Sequence, residues 1–151
     1  MIAVDHGAAA CVGLHAAMHG PRFEALEPIR PGVRTPWGVF GQDIAPGLVR
    51  RPDHGRQYRS QVFQEELRFW GITSSPAFVR EPEGHGGAER LIRTLQENLL
   101  GLNTFATVED LRLALHEFQR QSNETWLIGR QGYQTPAQVR HEQCCLLAEA
   151  A

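Results

Sequence analysis

Two carboxylates stand in surroundings that suit metal chemistry. Asp53 lies in the glycine-containing turn "PDHGRQY", and Glu89 follows the glycine-rich "GHGG", with thirty-five residues between them. Hard oxygen ligands from two neighbouring elements are what a Mg²⁺ site requires. An aspartate in such a turn ordinarily serves the turn alone, because its short side chain bonds local backbone. Spacing by itself leaves both readings open. His15 and His19 form a second candidate pair, spaced i, i+4, which on a helix would put two metal ligands on one face. The cysteines are Cys11, Cys144 and Cys145. An odd count with an adjacent pair is neither a disulfide framework nor a zinc pattern, and it points to a reducing compartment, by default the cytoplasm.

These residues need a scaffold. A chain of 151 residues with 42% hydrophobic content fits one domain with a real core. All fifteen basic residues are arginine, planar forks suited to bidentate phosphate contact, yet the formal charge is -2. A net acidic chain has no global field drawing it onto DNA, so any nucleic-acid role rests on a local site. No run approaches the eighteen or so apolar residues of a membrane span, and no membrane partner is expected.

Periodicity supplies the elements. Residues 2 to 4 and 10 to 17 read as two strands joined by "DHGAA". "RFEALEPIRPGVR" spaces Phe23, Leu26 and Ile29 as a helix does, but Pro28 and Pro31 leave it broken or short. "GLVRR" reads as a brief strand, so Asp53 sits where a strand hands over to a helix carrying Val62, Phe63, Leu67 and Trp70. After the strand "ITSSPAFV", a helix from about Gly87 to Leu100 places Leu91, Ile92, Leu95 and Leu99 on one face and Glu89, Arg93 and Gln96 on the other. Glu89 then lies near the positive end of the helix dipole. "TVEDLRLALHEF" opens a further helix, with Thr107 and Asp110 at capping-box spacing and Val108, Leu111, Leu115 and Phe118 inward. From residue 130 the chain is polar and then "CCLLAEAA". Trp70 and Trp126 read as core residues rather than base-stacking platforms. Glu65 and Glu66 read as a solvated helix face. The order of strands and helices predicts an α/β domain.

The segment "DHGRQYRSQVFQEELRFWGITSSPAFVREPEGHGGAERLIRTLQENLL" resembles the retroviral-integrase-like catalytic core of DDE transposases, specifically the insertion sequence three family. Asp53, Gly55 and Tyr58, then "GI", "SSP" and the glycine loop before Glu89, agree in order. The likeness continues through "FATVEDLRLALHEF", Asn123 and "GYQTPAQVR", and reaches back through "AVDHGAAACVGLHAA" and "RFEALEPIR". It implies a catalytic core over residues 1–129 and a closing segment and tail over 130–151. The implied fold is RNase H-like, a mixed sheet flanked by helices. The implied function is DNA integration and transposition, with carboxylates holding Mg²⁺ or Mn²⁺ for strand transfer. Asp53 and Glu89 match the second and third acids. Arg93 and Arg56 are the implied DNA contacts, and the implied partners are transposon ends, target DNA and intact transposase subunits.

The first acid has no counterpart. In the family it lies on an opening strand upstream of the segment matching "IAVDH", so the first central strand is expected to be missing. Asp5 matches a non-catalytic aspartate. The absent acid bridges both metals by family analogy, and two +2 ions about 4 Å apart repel by roughly 16 kcal/mol at an effective dielectric of about 20. The expectation is an inactive fragment; the alternative is a non-catalytic remnant that binds DNA or associates with intact transposase. Other departures agree: Gln96 replaces a DNA-contacting lysine, His85 an asparagine and Pro31 a polar residue, and Pro52 cannot donate to a strand ladder. Loss of a central strand leaves backbone groups without partners at about 1 to 3 kcal/mol each, against a total stability of about 5 to 15 kcal/mol. The isolated chain is therefore expected to be marginally stable or to aggregate. A monomer with a sharp, reversible thermal transition would show instead that the sheet closes without that strand.

Overall fold

The first two apolar runs pair with each other. In the computed structural model, which describes residues 1–18, 24–52, 55–75 and 86–149, strand β1 (Ile2–Val4) runs antiparallel to β2 (Cys11–Leu14). Ile2 faces Leu14 and Ala3 faces Gly13, and the register then shifts before Val4 meets Cys11. Asp5 shapes the turn between them: its Oδ1 accepts from the Gly7 N–H at 2.8 Å and the Ala8 N–H at 3.3 Å.

The proline-interrupted helix is short for the reason its sequence gives. Helix α1 spans Arg30–Trp37, with Pro31 in the first turn, where a missing N–H costs nothing. Residues 24–29 wind as turns before it, yet Leu26, Ile29 and Val33 are buried together as the spacing demands. This segment crosses β2 very closely. A Cβ on Gly13 would lie 2.0 Å from the Pro28 carbonyl oxygen, so only glycine permits the approach.

A strand–helix–strand unit follows. Strand β3 (Val49–Arg50) pairs in parallel with β4 (Thr73–Ser74), and helix α2 (Gln61–Phe69) connects them. Ser60 caps α2 by accepting from the Phe63 N–H. Phe63, Leu67 and Trp70 point inward and are almost wholly buried, each contributing about 1.5–3 kcal/mol as an upper bound. Gly71, at φ +76°, lets the chain turn into β4.

Helix α3 covers Gly86–Leu95 and continues as a π-helical turn over Gln96–Leu100. Leu95 is buried, with Leu91 and Leu99 packed around it, but Ile92 is 38% exposed and does not belong to the inner face. Helix α4 (Val108–Thr125) starts at the expected capping box, with Thr107 and Asp110 exchanging hydrogen bonds. The tail, which the sequence left without an element, forms helix α5 (Pro136–Glu149). Among the described residues, no helix is long and apolar enough to cross a membrane.

The chain is thus α/β, with two apolar clusters. Ala25, Leu26, Ile29 and Val33 meet Tyr58, Phe63, Leu67, Trp70 and Ile72 in the first, where Met1 also packs. Leu95, Leu115 and Phe118 form the second, with Leu14, Ala16 and Trp126 against them. The hairpin lies between the two. Helix α4 also closes the outer edge of the hairpin: the half-buried Asn123 accepts from the Cys11 N–H through Oδ1 and donates to the Cys11 carbonyl through Nδ2, both at 2.8 Å. Gln119 donates to the same carbonyl at 3.1 Å. Replacing Asn123 with alanine strands the Cys11 N–H, so a loss of about 2–3 kcal/mol is expected in urea unfolding. Asn123→Asp, which keeps the acceptor but sets a carboxylate oxygen against the Cys11 carbonyl, should not restore the lost stability.

Candidate functional site

The turn that carries Asp53 is anchored on both sides. Asp53 and His54 themselves lie outside the described residues, as do His19, Phe23 and His85. Before the turn, Arg51 is exposed and Pro52 is buried. After it, a 3-10 turn spans Arg56–Arg59, with Tyr58 buried. The Arg50 guanidinium lies 4.5 Å from the Tyr58 ring centroid and 4.8 Å from that of Phe63, a cation–π arrangement that ties this turn back to β3. Arg56 is exposed at the start of the 3-10 turn.

Glu89 stands in the first turn of α3 and is exposed, as the helical spacing predicts. Arg93 and Gln96 are exposed on the following turns. The residue beside Glu89 lines a cavity of about 580 Å³ between the two sheets. Its walls include Val49 and Arg51 from β3 and the residue after it, Ile2, Ala3 and Val4 from β1, and Ala88 from α3, which packs on β1. Chain neighbours of both predicted acids therefore share one cavity. Neither Arg56 nor Arg93 lines it.

Among the described residues, charge at this cavity is mostly positive: Arg50, Arg51 and Arg140 line it with the carboxylate of Asp5. Sequence reasoning gave Arg140 no role, though it ends the "GYQTPAQVR" segment singled out above. Helix α5 brings it back to the hairpin, with Nε 3.8 Å from the Asp5 carboxylate.

The other metal candidates are committed elsewhere. Asp5 holds its own turn and faces Arg140. His15 follows the end of β2 rather than sitting on a helix, and its Nε2 pairs with the Glu24 carboxylate. Cys144 and Cys145 are exposed on α5, while Cys11 is buried, and burial pushes its thiol up to about 12. Among the described residues, no three His, Cys, Asp or Glu side chains are grouped to hold a metal ion. The described carboxylates thus do not complete a two-metal site, and no catalytic step follows from them alone.

Comparison with family models, curated proteins and solved structures finds no match to this chain. The geometry distinguishes structural acids from candidate ligands. Asp5→Ala should lower stability by about 1–2 kcal/mol, through loss of two backbone hydrogen bonds, and leave any Mn²⁺ affinity unchanged in calorimetry. A large drop in Mn²⁺ affinity with the fold intact would make Asp5 a ligand.

Proposed function

We propose that this chain is a DDE-type transposase catalytic core of the insertion sequence three kind, RNase H-like in fold, serving DNA integration and transposition. Its assigned target is the DNA phosphodiester of transposon ends and target sites. The observation that carries the reading is the shared cavity: Ala88, next to Glu89, and Arg51, two residues before Asp53, line it together. The order β1, β2, α1, β3, α2, β4, α3 also agrees with this assignment. Three arginines around the cavity supply the local positive charge that a net acidic chain needs to approach a phosphate.

Asp53 and Glu89 are the residues assigned to Mg²⁺ or Mn²⁺, which when bound would supply Lewis-acid chemistry at phosphate. Arg56 and Arg93, both exposed, are assigned to the DNA backbone. Asp5 is committed to its turn and to Arg140 and is not assigned to the metal. The second reading is a non-catalytic relative that binds DNA or associates with intact transposase.

Two measurements separate these readings. Alanine at both Asp53 and Glu89 should abolish Mn²⁺ binding in calorimetry; unchanged affinity would move the metal elsewhere. A strand-transfer assay in Mn²⁺ should give no joined product from these 151 residues, and product that the double alanine variant fails to make would establish an active enzyme. For DNA binding, Arg56→Ala and Arg93→Ala should each reduce the slope of log affinity against log salt by about 0.9. A slope unmoved by both would remove them from the interface.

A further inference from the structure

Helix α5 carries nucleophilic and metal-ligating groups that the site above does not use. From His141 to Leu146 every side chain is exposed. His141 and Cys145 stand four residues apart, about one helical turn, so their side chains rise from the same face. The Cys145 sulfur lies 3.7 Å from His141 Nε2. We propose that these two side chains form an open chelate for a borderline-soft divalent ion of the zinc class, bound through the Cys145 thiolate and His141 Nε2, with the remaining coordination positions left to solvent. The pair shares no residue with the cavity between the hairpin and β3, and the inference does not require the transposase assignment.

The distance carries the inference. A tetrahedral ion with Zn–S about 2.3 Å and Zn–N about 2.0–2.1 Å holds its sulfur and nitrogen about 3.6 Å apart. The two ligand atoms therefore already stand at the span of two coordination bonds, and binding requires no change of backbone. A thiolate with an imidazole also selects zinc-class ions over Mg²⁺ or Mn²⁺, which prefer oxygen. On binding, the thiol proton leaves to solvent, and Nε2 gives its lone pair while the ring proton stays on Nδ1. Among the described residues, no third His, Cys, Asp or Glu joins the pair, and the neighbouring Glu142 carboxylate accepts from Gln134. The chain thus supplies two ligands, whereas a closed structural zinc site takes four. Cysteine spacing alone does not reveal the site, because the second ligand is a histidine. A chelate across one turn also clips the helix, so ion binding and the stability of α5 are linked.

The probe is Co²⁺, titrated into the whole chain kept reduced with a phosphine and followed by absorbance. A thiolate-to-cobalt charge-transfer band should saturate at one ion per chain, with a dissociation constant roughly in the micromolar range. Zn²⁺ should displace the Co²⁺, and Mn²⁺ should raise no such band. Cys145→Ser should abolish the band, and His141→Ala should weaken binding at least about tenfold. Cys144→Ser should keep the band, as should the double alanine variant of Asp53 and Glu89, which separates this site from the carboxylates. Residues 141, 144 and 145 are exposed, so their variants are expected to fold, and an unchanged circular-dichroism melt without metal verifies it. Zn²⁺ should also slow amide exchange across residues 141–145, and not in Cys145→Ser. Absence of the band up to about millimolar Co²⁺ would overturn the proposal. So would a band kept by Cys145→Ser, or full affinity in a folded His141→Ala, which would leave a bare thiol. Loss of the band in Cys144→Ser would place the ion on the adjacent thiols and overturn it too. Saturation at half an ion per chain, with a dimer in sedimentation, would set the ion between two chains, which also overturns the proposal as stated.

Discussion

Asn123 satisfies both backbone groups of Cys11, and this pair of hydrogen bonds fixes the hairpin against α4. A strand edge is a row of donors and acceptors that must be paired, solvated or covered. On the outer side of the hairpin, one amide side chain supplies an acceptor and a donor at matched positions, much as a neighbouring strand would. The same contact fixes α4 across the hairpin, and with it the second apolar cluster around Leu115 and Phe118. Among the described residues, β1 and β3 meet across the cavity rather than in one sheet.

The cavity between the hairpin and β3 joins the fold to the site. Strand β3 leads into the turn holding Asp53, and α3 presents Glu89 beside the same cavity through Ala88. The anchoring of the turn by Arg50 over Tyr58 and Phe63 ties the chemistry-bearing segment to the first apolar cluster. Arg140 reaches the cavity from the far end of the chain and balances Asp5 there. Local positive charge is thus assembled from the end of β3 and from α5 in a chain whose net charge is negative.

Much of this was legible because it depended on short-range pattern. The stripe of Phe63, Leu67 and Trp70, the capping box at Thr107 and Asp110, and the exposed row of Glu89, Arg93 and Gln96 follow from helical period and local hydrogen bonding. The α1 segment was legible as a broken helix, but its start was not, since Pro31 is unfavourable inside a helix and favourable in its first turn. Helix α5 was missed because its polar and apolar residues follow no clear helical stripe. Ile92 was placed inward by spacing alone and is exposed, since the wheel does not reveal how wide a face the neighbouring elements cover. The roles of Asn123 and Arg140 rest on contacts between distant parts of the chain, which periodicity does not encode.

Cys11 acquires an unexpected property from its position. Its backbone is clasped by Asn123, and its thiol is buried and held as the protonated form to about pH 12. Thiol reagents attack the thiolate and need access, so in the native state this sulfur is doubly protected. Cys144 and Cys145, exposed on α5, have no such shield. The three cysteines thus differ in kind. Two report on the solvent at all times, while the third becomes chemically visible only when the hairpin parts from α4, giving the molecule a built-in record of its own transient openings.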